Sequence, residues 1–147
     1  MATEQPWLKP REITLDDGTL VTFRPEEKLD LEPVWEMFST LSDDSLQYLP
    51  IPITRERVEG WFRNLDYEKA LPMLGLIDER VVAVSSLDFG QMKHNMHVAT
   101  FGVTVHDDYQ NRGLGTRLTE YMIEIAQGKG LKRVALEVVT QNSRAIV

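Results

Sequence analysis

The strongest constraint on the fold is a run of strand, glycine-containing turn, helix and strand between residues 97 and 138. Residues 97–105 alternate between two faces, as in a half-buried strand. The helix that follows has an apolar stripe at helical spacing, formed by Leu114, Leu118, Met122 and Ile125. The last strand alternates again, with apolar side chains at Val134, Leu136 and Val138. This order predicts a βαβ unit, in which the two strands are parallel and the crossover is right-handed.

The residues before this unit predict an α/β (α+β) fold with a mixed sheet, antiparallel early and parallel late. A hairpin is predicted over 13–23, with a turn at Asp16, Asp17 and Gly18. Helical spacing predicts one helix over 31–41 and a second after Thr54, a residue suited to an N-cap. Two strands between 71 and 87 flank a turn at 78–80. We expect residues 1–10 to be a loose tail and 11–147 to form a single domain.

Composition excludes several classes of function. The 147 residues include 16 Lys and Arg, 23 Asp and Glu and no cysteine, which gives a net charge of −7. An acidic chain is a poor match for nucleic acid, and the lack of cysteine excludes a thiol nucleophile. No apolar run approaches the roughly 20 residues that span a bilayer, and the first ten residues lack the pattern of a secretory signal. We therefore expect a cytoplasmic protein that binds neither membrane nor nucleic acid.

The turn before the predicted helix has the composition of an anion-binding loop. Gly113 and Gly115 allow close approach of a ligand to the backbone, and the first amides of the helix lack intrahelical partners. Thr116 adds a hydroxyl donor, and Arg112 and Arg117 add positive charge. A glycine pair can also simply shape a turn. The dinucleotide fingerprint fails because position 118 is leucine, and the Walker A pattern is absent.

The sequence from about residue 20 to 147 resembles the GCN5-related N-acetyltransferases (GNAT). The family signature Q/R-x-x-G-x-G/A is met by Gln110 to Gly115, after Val103-Thr104-Val105 and before Leu136-Glu137-Val138 and Asn142. A weaker similarity to the bacterial protein-lysine acetyltransferase branch rests on 17–19, 23–25 and Leu41-Ser42. The resemblance implies a sheet splayed between two parallel strands and flanked by helices. It also implies a helix and final strands beyond Val147, so we expect the chain to be incomplete at its C-terminus.

The resemblance assigns the acyl donor, acetyl-CoA, to the gap between strands 98–105 and 132–139. Strand residues expected to bind it are Val103, Thr104 and Val105, with backbone groups of the two valines bonding to the acetyl and pantetheine parts. Loop residues expected to bind the pyrophosphate end are Gln110, Asn111, Arg112, Gly113, Leu114, Gly115 and Thr116. Asn142 is expected to contact the cofactor or brace the site.

The implied reaction is direct acetyl transfer to a primary amine. Glu137 is the first candidate for the base that takes the amine proton, although a solvent-facing or ion-paired strand residue would look the same. His97 is the second candidate, and a plain surface histidine is its alternative. Ala99 stands where histone-type relatives place a glutamate. His94 and His97 lack a third ligand, so no metal is expected. The usual acid is a tyrosine that would lie beyond Val147.

The acceptor is less defined by the sequence. The resemblance places the acceptor side at 42–54, which includes Tyr48, and at Asp88 and Phe89. The acidic side chains of Asp43, Asp44 and Asp88 could attract a cationic amine or could be ordinary turn residues. The expected acceptor is a protein lysine or N-terminus. A small-molecule amine acetyltransferase and a non-catalytic acyl-CoA-binding module stay open as alternatives, and a homodimer is a possible assembly.

Overall fold

The computed structural model describes residues 9–46, 52–88, 98–128 and 133–136. Within these ranges the strands form one six-stranded sheet in chain order. The first four pairings are antiparallel and the last, between β5 and β6, is parallel. The strands are β1 (Arg11–Thr14), β2 (Leu20–Pro25), β3 (Ala70–Ile77), β4 (Arg80–Asp88), β5 (Val98–Val105) and β6 (Arg133–Leu136).

Helices pack on both faces of this sheet and divide the core in two. The α-helices are α1 (Leu31–Ser39), α2 (Asp43–Leu46), α3 (Arg55–Arg63) and α4 (Leu114–Gly128). On one face α4 buries its predicted apolar stripe against β2 to β5, around Phe23 and Phe101. On the other face α1 and α3 pack against Leu74 and Val81. None of the helices in the described ranges combines the length and the apolar character needed to span a membrane.

The N-terminal hairpin confirms the predicted turn at 16–18. The amide of Leu15 donates to the carbonyl of Thr19 at 2.9 Å, and the strands pair from Arg11↔Phe23 to Thr14↔Leu20. Gly18 has a φ of 88°, in the left-handed region that glycine adopts without steric cost. Of the predicted tail, only Lys9 and Pro10 belong to the described residues.

The turn between β3 and β4 is shorter than predicted. The sequence suggested a turn over 78–80, but Arg80 is already the first residue of β4 and pairs with Ile77. Only Asp78 and Glu79 form the loop, with φ values of 51° and 67°. Two consecutive left-handed residues give a two-residue hairpin loop whose twist matches that of the strands, so no third turn residue is needed.

The parallel pair predicted from the βαβ pattern is present. Its register runs from Val98↔Arg133 to Phe101↔Leu136. The second strand was expected over 132–139, and its described part is Arg133–Leu136. The helix that joins the strands begins at Leu114, one residue after the predicted start near Gly113, and ends at Gly128. These elements place the predicted anion-binding loop at the C-terminal end of β5.

Candidate functional site

The backbone groups of β5 point alternately to its two neighbours in the sheet. The amide of His106 donates to the carbonyl of Val82 at 2.8 Å, and these residues are directly opposite in the β4–β5 register. Hydrogen-bonded pairs alternate along an antiparallel ladder, so Thr104 also bonds to β4. Val103 and Val105 then direct their N–H and C=O groups away from β4, toward the β6 side. The two valines thus have the backbone orientation that the sequence prediction requires, whereas Thr104 retains only its side chain for a ligand.

Within the described residues, the β6 side of β5 is paired only from Val98 to Phe101. The described ladder stops at Phe101↔Leu136, four residues before β5 ends. The strand segment 102–105 therefore continues beyond the last described residue of β6. It leads directly into the loop before α4.

Gln110 uses its side chain to hold this strand end. Its Nε2 donates to the carbonyl oxygen of Val105 at 3.0 Å and to Ser45 Oγ at 3.4 Å. The side chain is thus engaged with the protein itself. A predicted ligand contact from Gln110 would have to come from its backbone or from rearrangement of this contact.

The loop from Asn111 to Gly113 ends at a helix start with unpaired amides. Asn111 and Gly113 both have positive φ values, 63° and 81°. The first intrahelical bond of α4 runs from the amide of Arg117 to the carbonyl of Gly113, at 3.0 Å. The amides of 114–116 therefore precede the helical hydrogen bonds and are available to an anion. A Cβ added at Gly113 would meet no atom within 4 Å, so the space beside the loop is open. These features fit the pyrophosphate of acetyl-CoA.

The two arginines near the loop contact other parts of the chain. The guanidinium of Arg112 lies 5.4 Å from the ring centroid of Tyr109, and that of Arg80 lies 5.7 Å from the same centroid. Arg117 donates from Nη1 to the carbonyl of Thr14 at 3.3 Å. The positive charges expected beside the loop are present, and their described contacts are to Tyr109, to β1 and, for Arg117, to a carboxylate one turn further along α4.

Asp107 joins the loop after β5 to the start of α2. One carboxylate oxygen accepts from the amide of Ser42 at 2.8 Å, and the other accepts from the hydroxyls of Ser42 and Ser45, both at 2.7 Å. Burial raises the pKa of Asp107, but the hydrogen bonds from Ser42 and Ser45 outweigh it and hold the pKa at about 2. The carboxylate is therefore ionised throughout the physiological range. Sequence reasoning did not identify this residue.

His106 is a buried histidine that the sequence prediction also missed. Its Nδ1 accepts from the amide of Asp108 at 3.2 Å, so its Nε2 carries the hydrogen and donates to Thr40 Oγ1 at 2.8 Å. Thr40 Oγ1 in turn donates to the carbonyl of Glu36 at 2.8 Å. Nε2 thus holds the end of α1 beside the end of β5, while Nδ1 holds the loop that follows β5.

Glu26 is a buried carboxyl group outside the predicted site. It follows β2, is 3% exposed, and its amide donates to the carbonyl of Pro72. Burial, with a smaller contribution from the charge of Asp30, raises the pKa of Glu26 to about 7. Two strands separate β2 from β5 in the sheet, so Glu26 is remote from Val105. No sequence motif indicated it.

Several predicted site residues lie outside the described residues: His97, Glu137 and Asn142, together with His94, Tyr48 and Phe89. Their positions relative to Val105 stay predictions. Two tyrosines near the loop and in α4 belong to the described residues, and both contribute to packing. Tyr109 packs against the core cluster under α4. Tyr121 is buried and stacks on Phe23 with ring centroids 5.8 Å apart.

Comparison with known proteins places this geometry in context. The family model described as "Acetyltransferase (GNAT) family" matches residues 34–146. The L-amino acid N-acetyltransferase AaaT of Escherichia coli (strain K12) is 33% identical over 75 residues, which cover 50% of this chain and 46% of that protein. The matched part thus spans about half the length of this relative.

Solved structures show the same fold at low sequence identity. The GNAT domain of S. lividans PAT has a TM-score of 0.84 and 22% identity, with 99% of this chain and 86% of that chain covered. The ribosomal-protein-S5-alanine acetyltransferase of Vibrio fischeri has a TM-score of 0.75 and 14% identity, with coverage of 92% and 78%. The fold class predicted from the sequence, a GNAT fold, is confirmed.

Proposed function

The chain belongs to the acetyltransferase (GNAT) family, and from that premise we propose that it is an N-acetyltransferase that transfers acetyl from acetyl-CoA to a primary amine. The observation that carries the proposal is the arrangement at the end of β5. Val103 and Val105 direct backbone groups away from β4, and the loop after them presents the first amides of α4. The former can bond to a pantetheine arm as a neighbouring strand would, and the latter to a pyrophosphate.

In the proposed reaction the amine nitrogen attacks the acetyl carbonyl carbon directly. A new C–N bond forms, the C–S bond to coenzyme A breaks, and coenzyme A leaves as its thiolate. The Val105 N–H donates to the carbonyl oxygen as that oxygen gains charge. Glu137 takes the proton that the amine must lose, since a free lysine has a pKa of about 10.4; His97 is the alternative base. Asn142 contacts or braces the donor.

The acceptor is the finer part of the proposal. We propose a protein lysine or N-terminus as the first candidate, on the resemblance to the protein-lysine acetyltransferase branch. A free amino acid is the second candidate, because the relative AaaT is named as an L-amino acid N-acetyltransferase. A cytoplasmic location and a homodimer stay predictions of the sequence.

Binding of the donor is tested by calorimetry with acetyl-CoA. Replacing Gly113 or Gly115 with glutamate introduces a carboxylate beside the amides of α4, so both variants should bind acetyl-CoA at least about tenfold more weakly. Gly18→Glu is the matched control, because it places the same residue at a similar positive φ in the β1–β2 turn. Unaltered affinity in both loop variants would remove the proposed pyrophosphate site.

Transfer is tested with the complete gene product and three classes of amine: lysine peptides, peptides with a free N-terminal residue, and free L-amino acids. Glu137→Gln should lower kcat about 100-fold or more on the preferred amine and leave acetyl-CoA affinity unchanged. Glu36→Gln, at an exposed position of α1, is the control. Full activity of Glu137→Gln would exclude Glu137 as the base. Acetyl-CoA binding without turnover on any amine would favour the non-catalytic module.

A further inference from the structure

A continuous chain of hydrogen bonds runs from the start of α2 to the end of β5. Ser42 and Ser45 donate to the carboxylate of Asp107, and Ser45 Oγ accepts from Gln110 Nε2. The same Nε2 donates to the carbonyl of Val105. Each hydroxyl, amide and carboxylate in the chain has a role consistent with its chemistry. The chain thus connects two segments of the protein that are 60 or more positions apart in sequence.

One end of this hydrogen-bond chain fixes the segment from Ser42 to Leu46. Ser42 Oγ accepts from the amide of Ser45 at 3.1 Å, so this hydroxyl begins α2 while it also donates to Asp107. The amide of Ser42 donates to the same carboxylate. Asp107 therefore fixes the place at which α2 begins. The segment 42–46 is the first part of 42–54, the range that the resemblance assigns to the acceptor side.

The other end of this hydrogen-bond chain fixes the peptide group of Val105. Gln110 Nε2 donates to the carbonyl oxygen of Val105, and the amide of Val105 points to the same side of β5. This amide is the group proposed to donate to the acetyl carbonyl. The same set of hydrogen bonds thus holds a proposed donor contact and the first residues of the acceptor side.

We propose that Asp107 is a positioning residue, which holds the acceptor-side segment beginning at Ser42 at a fixed place relative to Val105. It acts through Ser42 and Ser45 and touches neither substrate. The inference rests on the proposed function, since it assigns a role within that reaction. A displacement of about 1 Å between reacting groups can cost about 100-fold in rate. The three hydrogen bonds that the charged Asp107 accepts from Ser42 and Ser45 oppose such a displacement.

The test compares Asp107→Ala, Asp107→Asn and Ser45→Ala with the wild-type protein. Asp16→Asn is the matched control, because Asp16 is exposed in the β1–β2 turn and its carboxylate makes no hydrogen bond within the described residues. Three quantities are measured: the Kd of acetyl-CoA by calorimetry, kcat and KM for the preferred amine, and amide hydrogen exchange over 42–46. The exchange measurement reports the contact independently of turnover.

We expect Asp107→Ala to lower kcat/KM for the amine by about 10-fold to 100-fold, with acetyl-CoA Kd changed less than about threefold. Exchange over 42–46 should become faster. Asp107→Asn should recover part of the loss, since its amide oxygen can still accept. Ser45→Ala should show a smaller loss of the same kind, and it also serves as the test if Asp107→Ala does not fold. Asp16→Asn should match the wild type.

Two results would overturn the inference. The first is a kcat/KM for the amine within threefold of wild type in Asp107→Ala, or in Ser45→Ala if Asp107→Ala does not fold. The second is an equal loss in acetyl-CoA affinity and in kcat/KM for the amine. The second result would indicate general damage to the fold. Absence of turnover in the wild-type protein on every amine would instead overturn the proposed function. Failure of the inference and failure of the function are therefore distinguished by the wild-type measurement.

Discussion

Gly115, in the first turn of α4, faces Val105 at the end of β5: a Cβ added at residue 115 would lie 3.5 Å from Val105 Cγ2. That is an ordinary contact distance, so a small side chain at 115 adds volume without strain. Gly113 differs, since its surroundings are open but its φ is 81°. The two glycines of the signature therefore have different physical requirements: small volume at 115 and a left-handed conformation at 113.

Gly113→Ala is predicted to weaken acetyl-CoA binding through the backbone. Alanine in the left-handed region costs about 1–2 kcal/mol, and relief of that strain would turn the amides of 114–116. Gly18→Ala carries the same cost in the β1–β2 turn, where φ is 88° and no atom lies within 4 Å of the added Cβ. Both variants should lose similar stability in urea unfolding, but only Gly113→Ala should show a higher calorimetric Kd. Equal Kd values would contradict the prediction.

Glu26→Gln is predicted to stabilise the protein above neutral pH. The pKa of Glu26 is about 7 in the folded protein, above its ordinary value of 4.5, so the folded state binds more protons than the unfolded state between these two pH values. The contribution of Glu26 is therefore most favourable below pH 4.5 and is lost as the pH rises through 7, by up to about 3 kcal/mol. Urea unfolding at pH 4 and pH 8 should show a gain from Glu26→Gln only at pH 8. Glu12→Gln, at an exposed position of β1, should show no such difference.

Asp30→Asn is predicted to destabilise the protein and to lower the pKa of Glu26. Asp30 accepts two 2.7 Å hydrogen bonds from Arg24 and one from the amide of Glu27, and it is 6% exposed. Asparagine can accept only part of these hydrogen bonds and no longer neutralises Arg24, at a cost of roughly 1.5–3 kcal/mol. It also removes a negative charge that raises the pKa of Glu26. A double-mutant cycle with Glu26→Gln should therefore be non-additive at pH 8; strict additivity would show that the two carboxyl groups are independent.

Thr54→Ala is predicted to cost about 1 kcal/mol of folding stability without changing donor binding. Thr54 Oγ1 accepts from the amide of Arg57 at 3.2 Å and begins α3. This helix packs on the face of the sheet opposite α4. Thr54→Ser, which keeps the hydroxyl, should retain most of the stability in urea unfolding. A changed acetyl-CoA Kd in Thr54→Ala would indicate coupling between α3 and the donor site.

The elements predicted correctly from the sequence depend on residues that are close in the chain. Thr54 caps α3 through an amide three residues away, and the βαβ pattern lies within about 40 residues. The error at Arg80 arose because loop length depends on the φ values of Asp78 and Glu79, which neither residue type reveals.

The side chains that sequence reasoning missed have partners far along the chain. Asp107 is held by serines more than 60 positions earlier, and His106 by Thr40. Glu26 has a perturbed pKa because the fold buries it, and no local pattern records that burial. The orientation of the Val103 and Val105 backbone groups could be determined only from the β4–β5 register, which the periodicity of the sequence does not supply.

The alternation of β5 between two neighbours restricts how this region can vary between related proteins. Adding or deleting one residue within β5, with the pairing of its first residues to β4 kept, would reverse the two sets of backbone groups that follow the change. Gly102 and Thr104 would then face the donor side, and the valines would bond to β4. Substitutions in β5 do not change which residues point their backbone groups toward β4. Changes in length preserve that assignment only when they add or remove an even number of residues. Natural variation here should therefore consist of replacements, with single-residue insertions confined to chains that have lost donor binding.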